Sequence, residues 1–389
     1  MSEAVVIVGS GLAGYNVARE LRKADAEVPI VVISRDEAGF YSKPMLSNAL
    51  AGKKTAASLV TKPAEKMADE VKLRVLARTS VTTVDTAART LTLSSGEVLP
   101  YRDLVLALGA DPIRLHLEGD AADAVLSVND LDDFARFAEA LDTAGPGGQP
   151  VKRVAILGAG LIGCEFANDL LHREVQPTVL DLAERVLPRL LPPQASARLQ
   201  AKLEAGGASF RFGTGVTAVN RGANGLVLTL SDGSQLETDL VLSAIGLKPR
   251  TQLAADAGVA VNRGIVVDRH LATNVPHVHA VGDCAEVAGH LLPYVLPLMG
   301  QARALAATLA GKPTEVSYPA MPVVVKTPAW PTVVCPPAGD AQGEWEVTET
   351  EEAIEARFMA GDQLLGFVLQ GKATSQRQAL AAQTPALLA

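Results

Sequence analysis

Residues 5–14, VVIVGSGLAG, decide the fold, because an apolar run that ends in a glycine-rich turn predicts a strand followed at once by a helix. Residues 154–163, VAILGAGLIG, repeat this pattern. In each copy the first glycine would make the tight turn, the second would let backbone N–H groups approach a pyrophosphate, and the third would let the helix pack closely on the strand. The presence of two copies favours two dinucleotide-binding sites over glycine turns that serve packing alone. The six glycines of the two copies are Gly9, Gly11, Gly14, Gly158, Gly160 and Gly163.

The repeat extends beyond the two glycine loops. Each copy continues into β-rich segments around a short turn, Ser95-Gly96 in the first copy and Asp232-Gly233 in the second. Five matched segments in one order predict two similar α/β domains. Besides the loops and the approach to Gly109 or Gly246, the matches are 81–84 with 216–219, 91–96 with 228–233, and 103–106 with 239–242.

The chain changes character from residue 316. Six prolines between residues 319 and 337 separate short β-rich runs. The pattern then predicts a small sheet over residues 344–347, 353–359 and 364–369, with a closing helix over 375–382. We therefore expect a third, smaller α+β domain.

Composition and charge exclude several classes of protein. The 389 residues are 48% hydrophobic, with 35 Lys and Arg against 43 Asp and Glu, for a net charge of −8. Such an acidic chain is a poor binder of nucleic acid or anionic membranes, and it contains no apolar run of the roughly 18 residues that a span needs. We expect no nucleic-acid partner, no membrane insertion and no signal peptide.

The cysteines predict neither a disulfide framework nor a metal site. Cys164, Cys284 and Cys335 lie far apart and form no CxxC pair. We expect no metal, no cysteine in turnover, and roles as small core residues for Cys164 and Cys284. The expected compartment is the reducing cytoplasm.

An acidic residue about 20 positions after each glycine loop should hold a ribose hydroxyl. In the second copy this residue is Asp181, which would accept a bond from the 2′-hydroxyl and repel a 2′-phosphate, so the sequence favours NADH over NADPH; a solvated strand end is the alternative. Glu184 adds to the repulsion and Arg185 opposes it. In the first copy two possibilities stay open: Asp36 takes the ribose, or Arg35 lies on the adenosine side.

A third motif ends in Gly282-Asp283, after a short predicted strand. Asp283 could accept a hydrogen bond from the ribityl chain of a flavin, while Gly282 would admit the cofactor closely. Alternatively, Asp283 is a turn residue or a helix cap.

These motifs together resemble the FAD- and NAD-dependent pyridine nucleotide–disulfide oxidoreductase superfamily, over about residues 3–310. The resemblance rests on both glycine loops, residues 106–110, residues 243–246 and Gly282-Asp283. Four further segments resemble the bacterial rubredoxin–NAD reductases within it, nearly end to end: YSKPMLS at 41–47, GCEFAND at 163–169, VNRGIVVD at 261–268 and MPVVVKTP at 321–328.

The resemblance implies an α/β fold with two Rossmann-like nucleotide-binding domains and a small C-terminal α+β domain. FAD would bind residues 1–110 and 240–312, NADH would bind residues 111–239, and residues 313–389 would form the last domain. Electrons would pass from NADH through FAD to rubredoxin, one at a time. The pathway that receives them, alkane hydroxylation or oxygen detoxification, stays open.

The resemblance also implies the site residues. A helix N-terminus and a lysine ammonium would stabilise the negative charge that hydride addition leaves on a flavin. The FAD pyrophosphate would lie against the first glycine loop from Gly9 to Gly14, with Ser10, Gly11, Leu12 and Ala13; its adenosine would lie beside Ser34 and Arg35 or Asp36, and its adenine would contact the backbone of Val81. The flavin ring would contact Lys43 at the isoalloxazine and Lys326 at its pyrimidine edge, with Val295 under it, just before a helix starting near Pro297, and Asp283 would hold the ribityl chain. Glu165 would lie where the nicotinamide enters.

Some residues depart from the wider family or allow a plainer interpretation. Asn48 stands where related ferredoxin reductases often carry a lysine, which leaves Lys43 as a candidate partner for Glu165. Without the resemblance, Lys43 and Lys326 would be taken as surface lysines. Glu165 could equally be an acid in the first turn of a helix that complements the helix dipole.

The rival functions are a ferredoxin reductase, an NADH oxidase-type flavoprotein with another acceptor, and a flavin-bound regulatory protein without turnover. Rubredoxin is the expected partner and a monomer the expected state. The C-terminal domain would help to form the docking face, and the basic residues Lys53 and Lys54 would guide an acidic partner toward the flavin.

Overall fold

The first glycine loop follows the central strand of a parallel sheet. The structure, a computed structural model, describes residues 3–389. Val5–Val8 pairs with Ile30–Ile33 on one side and with Asp103–Leu106 on the other, and all four of its residues are buried. Such continuous burial is typical of a parallel strand covered on both faces. The strands of this sheet follow the order Val278–Ala280, Asp103–Leu106, Val5–Val8, Ile30–Ile33 and Arg74–Leu76.

The second glycine loop lies in a sheet of the same design. Arg153–Leu157 pairs in parallel with Gln176–Asp181 and with Leu240–Ser243. Each loop therefore lies at the carboxyl end of a central strand, where ligands bind in open α/β sheets. The expectation of two similar α/β domains is confirmed, and this sheet follows the order Ser209–Phe212, Gln176–Asp181, Arg153–Leu157, Leu240–Ser243 and Val125–Leu126.

The second domain is inserted into the chain of the first. Asp103–Leu106, which precedes the insertion, pairs in parallel with Val278–Ala280, which follows it. Where the chain leaves and returns, Ala110–Pro112 pairs antiparallel with Leu247–Pro249. The outgoing and returning segments thus lie side by side at the junction of the two domains.

Each domain also carries the antiparallel meander that the repeat predicts. The two meanders share a register shift at the same place, between Val81 and Thr83 in one and between Val216 and Ala218 in the other. The two copies of the internal repeat therefore share even this irregularity in strand pairing. The strands are Val81–Asp85, Thr90–Leu93 and Val98–Pro100 in the first meander and Val216–Gly222, Gly225–Leu230 and Gln235–Thr238 in the second, and a small parallel pair joins Ile265–Val267 to Ala285–Val287.

The C-terminal sheet is larger than the sequence predicts. The β-rich runs between the prolines form two strands, Val323–Val325 and Thr332–Cys335, that pair antiparallel into it. The sheet follows the order Val323–Val325, Thr332–Cys335, Gln363–Gly371, Ala353–Ala360 and Glu344–Glu349. The single closing helix predicted over 375–382 is wrong in its bounds: a 3₁₀ helix, Lys372–Gln376, comes first and an α-helix, Arg377–Ala381, follows.

The helices cover the faces of these sheets, and α1 packs against α8. Within residues 3–389 the α-helices are α1 Leu12–Ala24, α2 Ala56–Leu59, α3 Ala64–Val71, α4 Leu131–Thr143, α5 Leu161–Leu171, α6 Pro193–Ala205, α7 Gln252–Asp256, α8 Val295–Leu309 and α9 Arg377–Ala381. One further short element matters for the site: the 3₁₀ helix Lys43–Asn48, called the 43–48 helix below.

Candidate functional site

The first glycine loop combines tight packing with one open position. Gly9 has φ +118°, and a Cβ on it would come within 2.1 Å of the Ala107 carbonyl oxygen. A Cβ on Gly14 would lie 1.9 Å from the Gly9 carbonyl oxygen. By contrast, apart from Gly11 and its two chain neighbours, no described atom of residues 3–389 lies within 4 Å of a Cβ built on Gly11. The outer glycines are needed for packing, while Gly11 leaves space at the N-terminus of α1, and a helix N-terminus of this kind is suited to bind a pyrophosphate.

The second glycine loop repeats this arrangement. Gly158 has φ +107°, with the Ala244 carbonyl oxygen 2.7 Å from its virtual Cβ, and the Cβ of Gly163 would lie 1.8 Å from the Gly158 carbonyl oxygen. Among the described atoms none lies within 4 Å of a Cβ on Gly160, at the start of α5. Both loops therefore fit a dinucleotide pyrophosphate.

A cluster of hydroxyl and carboxylate groups borders the first loop. The Ser34 hydroxyl donates to Asp36 Oδ1 at 2.7 Å and lies 2.7 Å from the Ser10 hydroxyl. The Ala38 N–H also donates to Asp36 Oδ1, at 2.8 Å. Arg35 points away from this cluster and lies 3.9 Å from Asp130. Ser10, Ser34 and Asp36 are thus brought together, and Arg35 is not one of them.

Three more of the expected flavin-site residues lie on neighbouring elements. Val81 is half-buried at the start of the first meander. Leu12 and Ala13 open α1, and a Cβ on Gly282, whose φ is +77°, would lie 2.7 Å from the Ala13 Cβ. Gly282 is therefore required for the close approach of α1 to the Gly282-Asp283 turn.

The Asp181 carboxylate is bound to the second glycine loop. Its Oδ2 accepts the N–H of Ala159 at 2.6 Å and its Oδ1 accepts the N–H of Ala183 at 2.8 Å. A carboxylate has about four acceptor positions, so it can still accept a ribose hydroxyl. Of the two neighbours, Glu184 is exposed and Arg185 donates to the Pro188 carbonyl at 3.3 Å.

Lys43 lies beside Asp283 rather than beside Glu165. The Lys43 Nζ is 3.8 Å from Asp283 Oδ2. Burial lowers the pKa of the Lys43 ammonium, while Asp283 opposes that shift. The prediction that Lys43 pairs with Glu165, in place of the lysine that Asn48 replaces, is therefore wrong. Lys43 is the first residue of the 43–48 helix, and it faces the Gly282-Asp283 turn.

Lys326 from the C-terminal domain is the partner of Glu165. Its ammonium and its backbone N–H both donate to the Glu165 carboxylate, the N–H at 3.0 Å, and the Ser47 hydroxyl donates to it at 2.6 Å. Glu165 is completely buried and is the fifth residue of α5, past the first turn where sequence analysis placed it. This site therefore joins three domains: α5, the 43–48 helix and the strand before Lys326.

Helix α8 begins at Val295 itself, two residues before the start that the sequence predicts. Pro297 fits within its first turn because the N–H groups there have no partner inside the helix. Val295 and Leu296 leave apolar surface exposed at this N-terminus. Further along α8, Gln301 accepts the Gly282 N–H at 2.7 Å and donates to the Tyr318 hydroxyl at 2.9 Å, which holds the Gly282-Asp283 turn on the helix.

Two polar residues on α5, Asn168 and Asp169, also belong to this site and were not predicted from the sequence. Both are buried, and both bind backbone N–H groups of other domains. The signal was present: with Glu165 they follow a spacing of three and four residues on an otherwise apolar helix, which places them on one face.

The cysteines pack in cores, as expected for Cys164 and Cys284. All three described thiols are free and buried, and burial raises the pKa of Cys284 and of Cys335 to about 11. Within residues 3–389 no group of three or more His, Cys, Asp or Glu side chains could hold a metal ion. In the same range no helix is long and apolar enough to span a membrane.

Two family models match the chain. Residues 3–308 match the pyridine nucleotide-disulphide oxidoreductase family, and residues 315–384 match the rubredoxin binding C-terminal domain. The second match covers the antiparallel sheet that supplies Lys326.

Full-length relatives and a solved structure agree with these matches. The chain is 48% identical over 386 residues to the rubredoxin-NAD(+) reductase of Alcanivorax borkumensis, covering 99% of each. It is 46% identical to the rubredoxin-NAD(+) reductase of Acinetobacter baylyi, over 97% of this chain and 96% of that one. Among solved structures, a ferredoxin reductase from Rhodopseudomonas palustris is similar, with a TM-score of 0.88 and 27% identity, over 99% of this chain and 96% of that chain.

Proposed function

The chain belongs to the pyridine nucleotide-disulphide oxidoreductase family, and we propose that it transfers electrons from NADH through FAD to rubredoxin. It is an oxidoreductase whose cofactors are FAD and NADH. The observation that carries the proposal is the pair of matching glycine loops, on two sheets, joined to a C-terminal domain of the rubredoxin-binding type.

The two loops bind the two nucleotides in the same way. FAD, when bound, supplies a centre that takes a hydride from NADH and gives up electrons singly, which NADH alone cannot do. The open space at Gly11 admits the FAD pyrophosphate to the N-terminus of α1, and that at Gly160 admits the NADH pyrophosphate to α5. Because the two loops share one geometry, the residues around each loop must decide which of the two nucleotides it binds.

Lys43, Asp283 and the start of α8 form the flavin side of the site. The N-terminus of a helix favours negative charge, and the Lys43 ammonium adds to this effect. With FAD bound, both would stabilise negative charge on its ring system. Asp283, 3.8 Å from Lys43, holds that ammonium in place and offers an acceptor to the ribityl chain.

Glu165 and Lys326 form the nicotinamide side. The Glu165 carboxylate accepts hydrogen bonds from the Ser47 hydroxyl and from the backbone N–H and the ammonium of Lys326. The buried negative charge of Glu165 is therefore compensated at the place where the nicotinamide would enter. Ser47 belongs to the 43–48 helix, so this short element carries a residue for each side of the site.

Rubredoxin is the proposed electron acceptor. The C-terminal domain reaches the site through Lys326, at Glu165, and would form part of the docking face. Lys53 and Lys54 are exposed on the loop after the 43–48 helix and would guide an acidic partner, so the rate with rubredoxin should fall as salt rises. A monomeric state in the cytoplasm completes the proposal.

The decisive experiment measures each half of the reaction with the purified FAD-loaded protein. Anaerobic NADH should bleach the flavin absorbance rapidly, and the reduced protein should then reduce rubredoxin faster than ferredoxin or dioxygen. If NADH fails to bleach the flavin, the protein is not an NADH-dependent reductase. A faster reaction with ferredoxin would make it a ferredoxin reductase, and a faster reaction with dioxygen would make it an NADH oxidase.

We expect Asp181→Ala to narrow the preference for NADH over NADPH by tenfold or more. The change removes a hydrogen bond to a charged group, worth about 1.5–3 kcal/mol, and the repulsion of a 2′-phosphate. Because Asp181 also binds the N–H groups of Ala159 and Ala183, both nucleotides will bind more weakly. The ratio of kcat/KM for the two nucleotides is therefore the quantity to measure, and an unchanged ratio would exclude Asp181 as the selecting residue.

A further inference from the structure

One face of α5 carries three buried polar side chains, Glu165, Asn168 and Asp169. Their exposed fractions are 0%, 2% and 1%. Burying polar and charged groups is costly unless each one is hydrogen-bonded. Here all three find their partners in other domains, so this face of α5 is where the NADH-binding domain meets the rest of the molecule.

Asp169 binds the FAD-binding domain. Its Oδ2 accepts the N–H of Leu50 and its Oδ1 accepts the N–H of Ala51, each at 2.8 Å. Burial raises the pKa of Asp169, and these N–H groups oppose that shift by stabilising the charged form. The Asp169 carboxylate thus accepts hydrogen bonds from two consecutive backbone N–H groups of the loop that directly follows the 43–48 helix.

The 43–48 helix relays this contact to the flavin side. It is one continuous 3₁₀ helix that ends two residues before Leu50, and its first residue, Lys43, lies beside Asp283. A shift of Leu50 and Ala51 relative to α5 would therefore also shift Lys43 and Ser47 relative to Glu165.

Asn168 binds the C-terminal domain from the same face. Its Oδ1 accepts the N–H of Ala329 at 3.0 Å, three residues after Lys326. A second contact comes from α6, where the Ala195 carbonyl accepts Gln370 Nε2 at 3.0 Å. The NADH-binding domain therefore contacts the FAD-binding domain through α5 and the C-terminal domain through α5 and α6.

Hydride transfer requires close control of the distance between two domains. The reacting atoms must approach to about 3–3.5 Å, and a misplacement of about 1 Å can cost a hundredfold in rate. The nicotinamide is held from α5 and the flavin from the first domain, so the contacts between these domains set that distance. Gly160, at the nucleotide loop, directly precedes helix α5, and Asp169, at the contact, lies on that helix.

We propose that Asp169 is a positioning residue for hydride transfer, which fixes α5 against Leu50 and Ala51 and so sets the approach of the nicotinamide to the flavin. This inference rests on the proposed function. A purely structural role would instead lower stability and leave the rate of flavin reduction unchanged.

The test compares Asp169→Asn with Asp239→Asn. Asparagine has the same shape but only one acceptor oxygen, so its NH₂ group would face one of the two N–H groups. Asp239 is the control, because it is buried in the same domain and accepts the N–H groups of Lys152 and Arg153 at 2.8 Å each, without reaching another domain; it also pairs with the Arg153 guanidinium at 2.7 Å, so its change should cost at least as much stability.

We expect Asp169→Asn to lower the limiting rate of flavin reduction by NADH by roughly tenfold to a hundredfold. The half-saturating NADH concentration, the FAD content and the rate at which dithionite-reduced protein reduces rubredoxin should stay close to the wild type. Hydrogen exchange should quicken at the amides of Leu50 and Ala51, with or without NADH. Asp239→Asn should change only the stability.

Equal limiting rates in the two variants would overturn the proposal, as would a loss confined to NADH affinity. If Asp169→Asn loses its FAD, Asp169→Glu decides the question, because it keeps the charge but displaces the loop by one methylene; a wild-type limiting rate in that variant would also overturn the proposal. A wild-type protein whose flavin NADH cannot reduce would refute the proposed function, and with it this role of Asp169; that failure differs from the others because it is seen before any residue is changed.

Discussion

Gly11→Ala should fold but fail to retain FAD. Among the described atoms the added methyl group meets nothing within 4 Å, so the chain itself tolerates it. The methyl group would occupy the space through which the pyrophosphate approaches the start of α1. Loss of two hydrogen bonds to the phosphates, at about 1.5–3 kcal/mol each, corresponds to a loss of affinity of roughly a hundredfold to ten-thousandfold.

Gly160→Ala is the matched variant at the second loop. It should retain FAD and weaken NADH by a similar factor, because the two loops share one geometry. Gly14→Ala is the opposite control, since its Cβ would lie 1.9 Å from the Gly9 carbonyl oxygen and should prevent folding. Flavin content, NAD⁺ titration and circular dichroism measure the three outcomes, and a Gly11→Ala protein with full flavin content would exclude the first loop as the FAD site.

Lys326→Met should destabilise the protein and slow flavin reduction by NADH. The change leaves the buried Glu165 carboxylate without its cation, which typically costs about 3–5 kcal/mol for a fully buried pair. Because Lys326 itself is about a quarter exposed, we expect a smaller loss of about 2–3 kcal/mol. The midpoint of urea unfolding measures this loss, and stopped-flow absorbance measures the rate.

Two variants test the cause of that loss. The double variant Lys326→Met, Glu165→Gln should recover most of the stability, because no buried charge is left without a partner. Lys372→Met removes an exposed lysine that pairs with the exposed Glu352 and should leave the midpoint unchanged. If the double variant is no more stable than Lys326→Met, the ion pair is not the source of the effect.

The two nucleotide-binding domains could be predicted because their signals are local. A strand, three glycines and a helix follow one another within ten residues, and the positive φ values of Gly9 and Gly158 require that residue type. The C-terminal sheet was harder to predict from sequence. The strand Gln363–Gly371 was predicted as 364–369, but the first two strands of the sheet lie among prolines. Thr332–Cys335 is also buried along its whole length, so it lacks the alternation that marks a half-exposed strand.

The partner of Glu165 could not be predicted from sequence alone. Lys43 and Lys326 both resemble the family's lysines, and the choice between them depends on how the C-terminal domain docks against α5. Such docking is a long-range property that no local pattern encodes. Asp169, in contrast, could have been noticed, because charged residues are rarely placed on an apolar helix without a specific partner.

The insertion of one domain into the other bears on the order in which the chain folds during synthesis. The sheet that holds the second glycine loop is complete once Leu240–Ser243 has left the ribosome, whereas the first sheet must wait for Val278–Ala280 and for α8 to cover α1. Although N-terminal domains generally fold first, here the middle of the chain should reach its native structure before the beginning does. Until then the edge of Asp103–Leu106 stays open to pairing with other chains, so this edge is the aggregation-prone surface of the nascent protein during that interval.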